Sequence, residues 1–166
     1  MKMNALKKHL SDESIDELTK QIIELFKKND FVKDYYKLKY DSEYNSAVLA
    51  KQKEIIKISY EKARLSVAKK SISEFTKLSN DKEQIAEIML YYVEMGVEFT
   101  NNYGDIDESF YSSMEGMFEQ VVIFLVKEKL ENMFVDRCYN VVEDRNGIGW
   151  GFHDGLSEIF HGYMYP

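Results

Sequence analysis

The sequence predicts an all-α protein, either an irregular helical bundle or a short α-α superhelix of about 6–8 helices. Three observations predict it. The only proline is the last residue, Pro166, and no glycine occurs before Gly96. Hairpins of a β-rich domain need Gly, Pro or Asn-Gly punctuation, and the first 95 residues supply none. Apolar residues also recur at helical spacing along the chain, interrupted by Asp, Asn and Ser.

Element by element, Ser11 is a plausible N-cap for a helix carrying Ile15, Leu18, Ile22, Leu25 and Phe26 as far as Asn29. Asp30 then offers a cap for a short aromatic segment with Phe31, Tyr35, Tyr36 and Leu38. After a polar break at 41–45, Ala47, Val48, Ile55 and Ile58 lie on the next helix. Periodicity does not decide whether that helix continues into the stripe Leu65, Ala68, Ile72, Phe75 and Leu78. Ser79-Asn80-Asp81 makes a clear turn.

The hairpin that follows is the best-defined unit. Ile85, Met89, Tyr92, Met95 and Phe99 keep a 3.6-residue period up to Tyr103. Gly104 sits where a left-handed residue would end that helix, and Asp105 with Glu108 has capping-box spacing for the next, over about 106–130. So short a connection lays the helices antiparallel, with Glu94 level with Met114 and Glu115, and Glu98 level with Phe110. A further helix over about 132–144 turns Phe134, Cys138, Val141 and Val142 inward. Gly147 stops a helix, and a terminal one resumes near Trp150 with Phe152, Leu156, Ile159, Phe160 and Tyr163. Gly151 and Gly155 allow it to approach a neighbour closely.

The 166 residues, 45% hydrophobic and 31% charged, fit a single globular domain over 1–166. Cys138 is the one cysteine, so no internal disulfide forms and a reducing compartment is expected. The opening lysines lack a long apolar run behind them, and the apolar run 121–126 is too short for a membrane span, so the expected location is cytoplasmic, with no membrane partner.

The net charge of −7 is unevenly spread. Residues 1–80 hold 17 Lys/Arg against 12 Asp/Glu, whereas residues 81–166 hold 5 against 17. An acidic half of that size disfavours nucleic acid and favours a protein partner with a basic surface, or self-association. Tyrosines among the lysines of the first half point no further, because amphipathic packing explains the same pattern.

Chemistry-bearing residues are sparse. Glu94 and Glu98 share a helix face, Asp105 and Asp107 follow at the hairpin, and His153-Asp154 lies in the terminal segment, offering a mixed oxygen and nitrogen set for a cation if they converge. The Glu-x-x-His pairs of bundle di-iron sites are absent from the sequence. GIGWGFHDG has the spacing of neither a dinucleotide fingerprint nor a P-loop, and no serine elbow accompanies His153. No catalytic residue is assigned and no cofactor is expected.

The stretches KKSISEFTKL, IMLYYVEMGVEFTNNYGDIDESFYSSMEGMFEQ and VVEDRNGIGWGFHDGLSEIF resemble a family of small bacterial helical proteins of unknown function. The opening LKKHLSDESIDELTKQIIELFKKNDFVKDYY resembles that family more loosely, and 41–58 least. The resemblance implies a helical bacterial protein, carries over no functional residue, and marks the Glu94–Glu108 hairpin and the Gly147–Asp154 loop as places for a site.

The expected function is therefore a non-enzymatic interaction module, an inhibitor or adaptor working through the acidic carboxyl-terminal half. The candidate contact residues are Glu94, Glu98, Asp105, Asp107, Trp150, His153 and Asp154. The alternative is a metal-binding protein or metal-dependent enzyme using the carboxylates and His153.

Overall fold

Polar side chains at helix starts set most of the element boundaries in the computed structural model, which describes residues 1–143 and 151–164. The described residues form nine α-helices and no strand. That is one helix more than the expected range, the addition being α1 (Met3–Ser11). The chain divides into two compact units, residues 1–45 and 46–166.

Unit 1 holds α1, α2 (Ile15–Lys28), α3 (Asp30–Tyr40) and the first turn of α4 (Ser42–Glu61). Ser14, not Ser11, caps α2: its hydroxyl accepts from the Glu17 amide at 3.3 Å, and its own amide donates to the Glu17 carboxylate at 2.9 Å. The physical reason is reciprocity. Three residues beyond Ser14 stands a glutamate able to return the bond, while three beyond Ser11 stands only Ser14. Ser11 instead ends α1, donating to the Lys8 carbonyl at 2.8 Å. Asn29 likewise displaces Asp30 as the cap of α3, accepting from the Val32 amide at 3.2 Å. Phe26 meets Tyr36 edge-on at 6.4 Å between ring centroids, fastening α2 to α3.

Unit 2 begins within α4, and the question left open by periodicity is settled there by a break. The Arg64 amide donates to the Ser59 carbonyl at 2.7 Å across a left-handed Ala63, φ 51°, and α5 (Leu65–Leu78) starts afresh. The Ser71 hydroxyl donates to the Gln52 side chain, joining α5 to α4. Asp81 caps α6 (Lys82–Tyr103) through the Gln84 amide at 3.1 Å.

Gly104 ends α6 with the expected positive φ of 79°, but its ψ of −152° lies outside the left-handed helical region, in territory open only to glycine. The cap of α7 (Glu108–Glu128) is Asp107, whose carboxylate accepts from the Phe110 amide at 2.9 Å, so the anticipated Asp105–Glu108 box does not form and α7 starts two residues later than expected. Asp105 is engaged elsewhere, accepting from the Tyr111 hydroxyl at 3.2 Å. Lys129, left-handed at φ 62°, closes α7 before α8 (Glu131–Glu143), and α9 (Phe152–Met164) completes the unit.

Helices α6, α7, α9 and α8 pack in that order around a shared core, with α7 also touching α8. The α6–α7 register is the one expected: Gly96 faces Met114, and the Phe99 and Phe110 rings lie 5.8 Å apart. Helix α9 runs alongside α7 in the same direction. Tyr111 meets Phe152 at 4.8 Å between ring centroids, Gly155 lies against Glu115, and the Tyr163 hydroxyl donates to Glu119 at 3.1 Å. Val121, Val122 and Leu125 are buried, as are Phe134, Cys138, Val141 and Val142 of α8 and Phe152, Leu156 and Phe160 of α9. Tyr163 is exposed, with its hydroxyl bonded to Glu119.

Candidate functional site

Helix α8 presents one arginine to the acidic face of α6. Both carboxylate oxygens of Glu94 accept from Arg137, from Nε and Nη2, each at 2.8 Å. The same guanidinium donates to Glu87 two turns earlier, and Lys53 of α4 donates to Glu87 as well, sharing Oε1 with Arg137 Nη2. Arg137 further lies over the Phe134 ring at 5.7 Å, and Lys53 over the Tyr91 ring at 4.8 Å. The network Lys53–Glu87–Arg137–Glu94 thus ties three helices together through side chains that are each about one-quarter to one-third exposed. Burial drives the Glu87 carboxyl upward, but the bonds from Arg137 and Lys53 outweigh it and hold it below the usual carboxylate range. The Arg137 guanidinium is stabilised in its charged form, chiefly by Glu94.

Beside this network α6 and α8 leave a cleft of about 370 Å³ with Val97 and Val141 in its wall and Glu94, Glu98, Asn101, Arg137 and Asn140 around it. Glu98 is exposed at the edge, and also borders a second, smaller cleft with Tyr60, Phe99 and Tyr103. A cleft so furnished offers carboxylate and amide oxygens to a hydrogen-bond donor or a cationic side chain, with the arginine charge already matched by two glutamates.

The other anticipated residues are separate from this cleft's lining. Asp107 is spent on capping, and the Ser109 hydroxyl and Phe110 amide hold its carboxyl below its ordinary value. His153 and Asp154, adjacent in sequence, approach to 3.5 Å between Nδ1 and Oδ1 at the start of α9. Trp150, Gly147 and Gly149 lie outside the described residues. The starts of α7 and α9 do come together: Ile106, Glu108, Tyr111, Ser112, Glu115 and Phe152 line one cleft of about 470 Å³. Glu115 is half-buried there, and burial pushes its carboxyl up. Its Oε1 would stand 2.7 Å from a β-carbon placed on Gly155, the close approach expected there, whereas Gly151 has no neighbour within 4 Å of such a carbon and instead serves the backbone, at φ 86°. Among the described residues no three His, Cys, Asp or Glu gather as ligands for one metal ion.

Sequence reasoning missed Arg137 and Lys53. A signal existed for the first: one of only five basic residues in 81–166, it stands beside the inward-facing Cys138, on a helix that turns Phe134, Val141 and Val142 to the core. An arginine in that setting needs carboxylates within reach.

Residues 1–163 match the model of a family of unknown function, DUF6155. The chain belongs to the DUF6155 family. No curated protein and no solved structure matches the chain. The family match spans both units, so α1–α3 belong to the family pattern together with the α6–α9 bundle. Among the described residues, no helix is long and apolar enough to cross a membrane.

Proposed function

We propose that this DUF6155 chain is a non-enzymatic protein-interaction module of the cytoplasm, an inhibitor or adaptor whose acidic carboxyl-terminal half occupies a basic surface on another protein. The observation that carries the reading is the disposition of charge on unit 2. Glu98, Glu108, Glu119, Asp136, Asp154 and Glu158 are all exposed, spread over α6 to α9. Of the four described bases in that half, Arg137 is held by Glu87 and Glu94, Lys82 pairs with Glu128 at 3.6 Å, and Lys127 and Lys129 are exposed at the end of α7. The remaining field is strongly negative and favours fast, salt-sensitive association with a cationic surface.

The test is capture of partners by the immobilised chain over a salt series, alongside a variant carrying Glu108→Gln, Glu119→Gln, Asp136→Asn, Asp154→Asn and Glu158→Gln. A specific basic partner should be retained at low salt, released steeply as salt rises, and lost by the variant. Equal retention by both proteins at every salt concentration would sink the reading. The metal-dependent alternative has less to support it, since Glu94 is already neutralised and Asp107 is committed to a helix cap.

A further inference from the structure

Unit 1 leaves the apolar face of α2 uncovered. Ile15 is 82% exposed, Leu25 53% and Ile22 42%, and none of the residues of α2 is buried. With Leu18, these residues keep the 3-4-3 spacing of a helix-pairing seam. Three large apolar side chains exposed in line on one helix, with the half-buried Leu18 among them, are not the scattered single exposures that folded surfaces tolerate.

We propose that this seam is the contact between two copies of the chain, with α2 of one packed antiparallel on α2 of the other about a two-fold axis near Ile22. Charge selects this occupant. Residues 1–45 hold nine Lys/Arg and nine Asp/Glu, so two copies of this unit meet without net repulsion, in contrast to the −12 of residues 81–166. The same neutrality gives α2 no attraction to an anionic lipid surface. Along α2 the charge is segregated, Asp16 and Glu17 in the first turn and Lys27 and Lys28 in the last. An antiparallel partner brings each acidic end against a basic one, whereas a parallel partner stacks like on like. With the axis between Gln21 and Ile22, Leu18 of each copy meets Leu25 of the other, the two Ile22 side chains lie within one residue of each other across the axis, and Asp16 flanks Lys27. This surface is distinct from the acidic one of unit 2, and the inference stands or falls without it.

The test is sedimentation equilibrium of the full chain across the micromolar range, with Leu25→Glu and Ile22→Cys variants. The expected result is a mass twice 19.6 kDa for the wild type, concentration-dependent at the low end, and 19.6 kDa for Leu25→Glu with unchanged helical circular dichroism. Because Ile22 sits beside the two-fold axis, Ile22→Cys should form an intermolecular disulfide on mild oxidation. The buried Cys138 thiol does not compete. A wild-type chain that stays at 19.6 kDa throughout overturns the proposal. So does a dimer that survives Leu25→Glu, or one that Ile22→Cys fails to cross-link.

Discussion

Arg137 grips Glu94 bidentately, with Nε and Nη2 each 2.8 Å from a different carboxylate oxygen, and it is the one guanidinium in reach of both Glu94 and Glu87 among the described residues. Replacing it with methionine keeps the stem over Phe134 but leaves the half-buried Glu94 without a cation and Glu87, two turns away, with Lys53 alone. Removing one member of a buried pair costs several kcal/mol, and the partial exposure of all three groups reduces that. Arg137→Met should therefore lower unfolding free energy by about 1–3 kcal/mol, read from urea melts. Arg137→Lys should recover only part of it, because an ammonium cannot form the fork.

The same network fixes the acid side of the stability profile. The Glu87 carboxyl is held below its unfolded value, burial opposing and the Arg137 and Lys53 bonds prevailing. A depressed carboxyl contributes stability that is present above its unfolded pKa and is lost as pH falls through the folded one. Wild-type stability should thus decline on acidification below the ordinary carboxylate range. In Glu87→Gln that part of the decline should be missing, so the two melting curves should converge in acid. A constant offset between them at all pH values would contradict it.

Helix ends divide into those legible in the sequence and those that were not, and the reason is chemical. Gly104 and Asp81 could be read because glycine and aspartate advertise a stop and a start, and the α6–α7 register followed from Gly104 alone. The α4–α5 break could not, because its left-handed residue is Ala63, and α7 closes likewise on Lys129. The Ser11 and Asp30 caps were misplaced by a few residues because several cap-forming side chains stand close together and only local reciprocity chooses among them. The Glu94 surroundings were hidden for another reason: Arg137 is 43 residues away, and helix packing rather than spacing brings them together.

Ala63 yields a prediction of the opposite sign. A non-glycine residue at φ 51° carries a steric penalty between its β-carbon and the following backbone. Ala63→Gly removes it, at some cost in unfolded-chain entropy. The net effect should be stabilisation by about 0.5–1 kcal/mol, visible as a higher denaturation midpoint with an unchanged slope.

Gly96 is confined by packing rather than by its backbone. A β-carbon there would overlap the Met114 sulfur and come within 3.1 Å of the hydroxyl of the buried Tyr60, which donates to the Tyr92 carbonyl at 2.8 Å. Gly96→Ala should cost about 1–3 kcal/mol by overpacking. Tyr60→Phe should cost about 1–2 kcal/mol by leaving the hydrogen bond unmade. Met114→Ala vacates the space that the new methyl needs, so the double variant Gly96→Ala/Met114→Ala should be more stable than the two single losses summed. A double-mutant cycle with no coupling would show that the methyl is accommodated elsewhere.

Cys138 offers a readout of how the α8 wall of this core opens. Its side chain is fully buried, and burial pushes the thiol up to about 12. Since only the thiolate attacks an alkylating agent, the folded protein at mildly alkaline pH presents neither an accessible sulfur nor an ionised one. Iodoacetamide labelling should be slow in the native chain and fast in denaturant, with a native rate set by the population of open molecules. Arg137→Met, acting one residue away on the same helix, should raise that rate in proportion to its loss of stability if opening of α8 is global. A rate in the variant equal to that of the wild type, with stability reduced, would instead place the labelling event in a local opening that leaves the Glu94 pair intact.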